Sequence, residues 1–213
     1  MTGTSQSRQR QDERSNNLST VKIPGYAGRM SRDSYHHGDL KAAILAEAAT
    51  LVAERGADGI SLRELARVAG VSHAAPAHHF TDRRGLFTAL ATEGFRLLAD
   101  ALTGARPRFI DAARAYVRFA LDHPGHYAVM FDKSLYDDTD ADLVAAETAA
   151  GAELSHGVGT LDDAHAKADQ EGAALAAWSL VHGFSLLWLN DAVDRTGDPI
   201  ATIERLALML FDG

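Results

Sequence analysis

The run from Ile60 to Phe80, ISLRELARVAGVSHAAPAHHF, constrains this chain more than any other stretch. Ser61 is placed as an N-cap, its hydroxyl accepting a backbone N–H of the first turn. Glu64 falls three residues later with the reach to close a capping box. Ile60 before the cap and Leu65 at the fourth helical position can form a hydrophobic staple over it. Leu62, Leu65, Ala66 and Ala69 give this helix one apolar side. Gly70 ends it, because glycine accepts the left-handed backbone that a sharp stop needs. Val71 reads as the buried plug of the turn, and Ser72 as the cap of a second helical segment. Two short helices across a Gly-Val-Ser turn form a helix-turn-helix, whose second helix can lie in a DNA major groove.

The flanks agree with that unit. Asp39 reads as the cap of a preceding helix, with Leu40, Ile44, Ala48, Leu51 and Val52 along one face and Arg55-Gly56 at its end. Asp82 reads as the cap of a following helix, where Leu86, Phe87, Leu90 and Phe95 tie the unit to the rest of the chain. The pattern at Leu65-Ala66, Ala69-Gly70-Val71-Ser72, His79-Phe80, Arg83 and Leu86, after Glu54-Arg55-Gly56, resembles the DNA-binding domain of TetR-type repressors. The resemblance covers about residues 35 to 96. It implies an all-α protein, an N-terminal three-helix DNA-binding domain followed by a C-terminal helical bundle for ligand binding and dimerisation.

That resemblance implies a set of DNA contacts: Tyr35, His36, Arg63, Ser72, His73, Ala74, Ala75, His78, His79 and Arg83. Small side chains at Ala74 and Ala75 allow close approach to base edges and thymine methyls. His73 and His78 supply polar contacts, while His79 either contacts DNA or braces the domain. Tyr35 either meets the phosphate backbone or packs. Arg83 stands where the family has Lys, beside a helix N-terminus that favours anions, so a phosphate contact is expected. The chain departs from the commoner pattern at Ala74 for Gly, Pro76 for Leu and Ala77 for Tyr. The usual Tyr hydroxyl contact to phosphate is therefore missing. Pro76, fourth in a helix capped by Ser72, would remove the first intrahelical bond, so a distorted or late-starting helix is expected.

The net charge of −8 looks unsuited to DNA until it is divided along the chain. Residues 1–31 balance at +3, residues 32–96 at 0 and residues 97–213 at −11. An acidic body beneath a neutral head with a basic tail turns the head toward polyphosphate. Three regions are expected: a disordered basic tail over 1–31, the DNA-binding domain with its connecting helix over 32–96, and the ligand and dimerisation domain over 97–213. Arg8, Arg10, Arg14, Lys22 and Arg29 of the tail either run along DNA or are simply solvated. No apolar run opens the chain, so no secretory signal is visible and a cytoplasmic location is expected.

From about Leu97 onward the pattern is helical. Pro107 suits a first helical turn. Phe109, Ala112, Ala113, Tyr116 and Ala120 follow at helical spacing, and His123-Pro124-Gly125 breaks the chain before Tyr127, Met130 and Phe131. Ala141 to His156 is alanine-rich and amphipathic, and Gly157 to Thr160 interrupts it. Ala173 to Leu189 is an uncharged apolar run of seventeen residues. It falls short of the ~20 a membrane span needs, and it contains His182, Gly183 and two serines. A helix apolar all round is more simply buried, with the core on one side and a partner subunit on the other. Ile200, Ile203, Leu206, Ala207 and Leu210 give the last helix a stripe. Trp178, Val181, His182 and Gly183, with His123-Pro124-Gly125-His126-Tyr127, resemble the C-terminal domain of a TetR branch named for its Trp-His-Gly residues.

A pocket lined by Tyr116, Tyr127, Met130, Trp178 and His182 is what the resemblance implies for an unidentified small-molecule effector. A homodimer through Leu187, Trp188, Leu189, Leu206 and Leu210 would read an approximately palindromic double-stranded operator. Enzyme chemistry finds little support. Cysteine is absent, no HExxH or Gly-x-Ser-x-Gly is present, and the ten histidines lack metal-ligand spacing. No metal, cofactor or membrane partner is implied. The expected function is a sequence-specific transcriptional repressor released from DNA by its effector. The alternative is a helical small-molecule-binding or enzymatic protein with a vestigial helix-turn-helix.

Overall fold

The computed structural model describes residues 37–106 and 108–211. The basic tail, Tyr35, His36 and Pro107 lie outside the described residues. Ten helices are found among those described, with no strand. They are α1 (His37–Arg55), α2 (Leu62–Val68), α3 (Ala74–Phe80), α4 (Arg83–Gly104) and α5 (Phe109–Asp122), then α6 (Pro124–Met130), α7 (Ala141–Gly159), α8 (Ala164–Ala168), α9 (Gln170–Leu189) and α10 (Pro199–Leu210).

Most of these helices begin on a side chain that satisfies a free backbone donor. Ser61, Asp82, Asp140, Asp163, Asp169 and Asp198 each accept an N–H from the first turn. Asp39, expected before the helix, lies within α1, which already starts at His37. α7 runs through Gly157 and Gly159 to end at Thr160, so the expected break there is a helix end instead. The short α8 carries alternating small and polar residues that give no apolar period.

One continuous apolar core runs from Ile44 in α1 to Phe211 after α10. α1, α2 and α3 close around Ile44, Leu65 and Phe80, and α4 supplies Leu86 and Phe87 beneath them. α4 then continues into the body, where it lies along α7 and beside α5 and α6. α9 packs between α5, α7 and α10. It is the one described helix long and apolar enough to cross a membrane, with a mean hydropathy of 1.4. Ala177, Val181, Phe184 and Ser185 of α9 are spent inward on the body.

α6 joins the two ends of the molecule. It packs on α1 and on α4, and its glycine permits the first of these contacts. A Cβ on Gly125 would stand 1.9 Å from the Ala49 carbonyl oxygen, so any side chain there forces the helices apart. His126, buried one residue on, bonds Glu93 of α4 through Nε2 at 2.9 Å.

Candidate DNA-binding face and ligand cavity

The first half of the hairpin is tightly closed. The Ser61 hydroxyl accepts the Glu64 N–H at 3.2 Å, and Ile60 and Leu65 are buried as the staple requires. The capping box is only half made, since the Glu64 carboxylate is taken by Arg55 of α1 at 2.5 Å. Gly70 adopts φ +67, and the Val71 N–H reaches back to the Ala66 carbonyl at 3.0 Å. That is the helix stop for which glycine is suited. Val71 is half-buried, not the fully buried plug expected of it.

The second half is open. Ser72 does not cap α3 through its side chain; its carbonyl instead accepts the Ala75 N–H at 3.0 Å. The N-cap is His73, with helical φ/ψ and no side-chain bond. The helix therefore starts later, as Pro76 requires. Pro76 becomes its third residue, where an N–H has no partner within the helix and its absence costs nothing. Pro76 and Phe80 turn inward. Ser72, His73, Ala74 and His78 are exposed, and Ala75 and His79 are half-buried. Ser72, Ala74, Ala75, His78 and His79 border, with Leu40, a depression of about 540 Å³.

α3 leaves by a γ-turn. Thr81 has φ 62 and ψ −58, and the Asp82 N–H bonds the Phe80 carbonyl at 2.6 Å. This hand of the turn is the strained one, more so at a β-branched residue. Asp82 then caps α4 by accepting the Gly85 N–H at 2.8 Å.

Arg83 requires a correction. Its Nε donates to the Ile60 carbonyl at 3.2 Å and one Nη to the Ala57 carbonyl at 2.9 Å. Its guanidinium also lies over the Phe87 ring, 4.7 Å from the centroid. The side chain that was expected on phosphate holds the α1–α2 loop to the start of α4. Both carbonyls lie outside regular helix; the Ala57 oxygen also accepts the Ile60 N–H at 3.1 Å, and the Arg83 fork adds a charged donor to each. Arg84 beside it is exposed, as are Arg63 and Arg67 on α2; adjacent arginines in a sequence do not reveal which one turns in.

In the body, α4, α5, α7 and α9 surround a cavity of about 290 Å³. Tyr116 and Trp178 line it, with Phe95, Leu98, Leu102 and Phe131. Tyr127, Met130 and His182 do not line it. Met130 is buried against Gly94. Tyr127 and His182 sit one layer below, where the Tyr116 and Tyr127 hydroxyls meet His182 Nδ1 at 3.1 and 2.8 Å. Burial pushes the Tyr116 hydroxyl up to about 12 and lowers His182, so this layer is uncharged at neutral pH. Burial, and the neighbouring Tyr116, also raise Tyr127. No group of three or more His, Asp or Glu among the described residues is placed to hold a metal ion.

Residues 44–90 match the family described as bacterial regulatory proteins, tetR family. Residues 109–210 match the tetracyclin repressor-like C-terminal domain. The chain belongs to the TetR family. It is a sequence-specific DNA-binding transcriptional regulator, and the pairing of both domains sets aside the reading of a vestigial hairpin. Solved structures agree in fold. A protein of unknown function from Rhodococcus sp. RHA1 is 33% identical, with a TM-score of 0.69 over 85% of this chain and 98% of that one. A bacterial regulatory protein in the tetR family from Rhodococcus RHA1 is 23% identical, with a TM-score of 0.65 over 84% and 98%. NalD, the secondary repressor of the MexAB-OprM multidrug efflux pump in Pseudomonas aeruginosa, is 23% identical, with a TM-score of 0.57 over 84% and 97%. No curated protein matches this sequence closely enough to count as a relative.

The outer faces of α9 and α10 in this TetR-family chain differ from expectation at one residue in particular. Trp188 is only 6% exposed: its ring packs on Phe184 and lies under the Arg195 guanidinium. It cannot be a dimer contact without leaving its own core. Leu189 and Leu206 are partly buried against that core as well. Leu187, at 47%, and Leu210, at 41%, do face outward. Leu186 of α9 and Leu208 and Met209 of α10 join them and were missed; α9, apolar all round, has no polar side to mark its outer face.

Proposed function

We propose that this regulator is a cytoplasmic repressor that binds an approximately palindromic operator as a homodimer and leaves it when a small molecule enters the body cavity. The observation that carries the reading is α4. Its first turn supports the hairpin through the Asp82 cap and Arg83, and its second half walls the cavity with Phe95, Leu98 and Leu102. α6 adds a second link, with Gly125 on α1 at one end and Phe131 in the cavity wall at the other. A head over 32–96 and a body over 97–213 then share one helix. Within the family, Trp178 and His182-Gly183 support a place in the Trp-His-Gly branch.

His73, Ala74, Ala75 and His78 read bases from α3, with Ser72 and His79 at its edges. Arg63 and Arg84 hold phosphates. Phosphate contacts position the head, and base contacts specify the site. Leu187 and Leu210, with Leu186, Leu208 and Met209, pair with the same faces of a second subunit, because one short helix alone reads few base pairs. A ligand releases DNA only by favouring an arrangement that fits both half-sites poorly.

Selection of bound DNA from a random pool tests the core of this reading. An enriched site with two-fold symmetry supports it, and no enrichment at low salt sinks it. Sedimentation of Leu187→Glu should give a monomer where the parent is a dimer. Any effector must lose the same factor of affinity to operator that operator loses to it.

A further inference from the structure

The body cavity contains one charged group among its lining residues, the carboxylate of Glu147 on α7. We propose that this cavity selects a small organic cation, an amine or quaternary ammonium carrying an apolar body. The proposal rests on the reading of the cavity as the effector site, and names the chemistry of what enters it.

Three observations converge. First, the walls are aromatic. Phe95 meets Phe131 edge-on at 5.8 Å, and Phe131 lies 6.5 Å from Trp178. Ring faces carry partial negative charge and attract a cation placed over them, Trp most strongly. Second, Glu147 has no ion pair among the described residues, whereas Glu153, further along the same helix, is held by Arg106. A carboxylate at the rim of an apolar cavity with no counterion of its own is completed by a cationic ligand. Third, nothing beneath the cavity opposes a positive charge. No Lys or Arg lines it, and the Tyr116–His182–Tyr127 layer is neutral.

The alternatives fare worse. An anion would meet Glu147 with no positive partner, and its charge would face the ring faces unfavourably. A neutral apolar molecule fits the walls and gains nothing from the carboxylate. Size adds a bound, since about 290 Å³ is at the low end for a ligand site and suits one ring with a short arm. The body's charge of −11 raises the local concentration of cations near the opening.

Calorimetric titration of the full chain with three molecules of one shape tests the proposal: 3-phenylpropylammonium, 3-phenylpropanol and 3-phenylpropanoate at pH 7. The ammonium should bind about tenfold tighter than the alcohol, and the carboxylate most weakly, from one ring-face contact and one exposed ion pair. Glu147→Gln, on an exposed stretch of α7, should bring the ammonium within about threefold of the alcohol. Trp178→Leu keeps the wall apolar and should cut ammonium binding more than alcohol binding. Equal affinities, a preference for the carboxylate, an ammonium preference undiminished by Glu147→Gln, or no binding by any of the three would each overturn the proposal. Operator release is scored on the same samples. An ammonium that binds with this selectivity but leaves the operator complex intact supports the cation site and overturns ligand release. Release by the alcohol without charge preference does the reverse.

Discussion

α2 and α3 are both seven residues long and are built in opposite ways. α2 has a side-chain cap at Ser61, a glycine stop at Gly70 and two fully buried residues, Leu65 and Ala66. α3 has no side-chain cap and ends on a strained threonine, although it also buries two residues, Pro76 and Phe80. Neither is long enough to be stable alone. α2 is finished by its own sequence, while α3 is held in shape from outside through Pro76 and Phe80. The difference teaches a division of labour: one helix secures the hairpin, and the other is left free of structural duties on its exposed side.

The largest effect should come from the secure helix. Leu65→Ala removes a side chain at 0% exposure and should cost about 2–5 kcal/mol in denaturant unfolding. A loss under 1 kcal/mol would mean that the hairpin's core lies elsewhere.

Arg83→Ala comes next. It strips two carbonyls of a charged donor, worth about 1.5–3 kcal/mol for the stronger such bonds. Thermal unfolding should fall and affinity should drop on all DNA sequences alike, but the salt slope should stay the same. Arg84→Ala should do the opposite, leaving stability intact and reducing the log–log salt slope by about 0.9 per subunit. A reduced slope for Arg83→Ala would show that its side chain leaves the Ala57 and Ile60 carbonyls when DNA binds.

Thr81→Gly probes the strained exit of α3. Relief of a left-handed β-branched residue should raise stability by about 1 kcal/mol, while loosening the angle between α3 and α4 weakens operator binding. A gain in both stability and affinity would show that the strain has no part in presenting α3.

The smallest effect on stability should come from the open face. His78→Ala should change unfolding by no more than about 0.5 kcal/mol, yet alter which base is preferred at one position of each half-site. Equal loss on every sequence would move His78 to the positioning contacts.

What the sequence revealed follows the distance over which each signal acts. Ser61 and Asp82 were legible as caps because the donor each one satisfies lies three residues on. Gly70 was legible because its backbone need is local. Asp39 and Ser72 failed as caps since the same residue types occur inside and outside a first turn, and only the start of the helix tells them apart. Pro76 was informative: its ring predicted the later start of α3. Arg83 was not, because its partners lie 23 and 26 residues back. Tyr116 and Trp178 were placed in the cavity wall, while Tyr127 and His182 belong to the layer under it. Their pairing across 55 residues has no sequence period to betray it. Trp188 was read as outward because nothing in an all-apolar helix marks the inner side.

The Gly125–Ala49 contact limits how the head of this chain can be exchanged. A head moved by gene fusion onto a foreign body brings its own α1 backbone down on whatever residue stands second in the foreign α6. Where that residue is glycine, the two surfaces close. Where it is anything else, a single carbon atom props the head away from its seat, and no adjustment of side chains can restore the fit. In this chain the head and the start of α6 are one fitted unit, and a graft that carries the head should carry Gly125 with it.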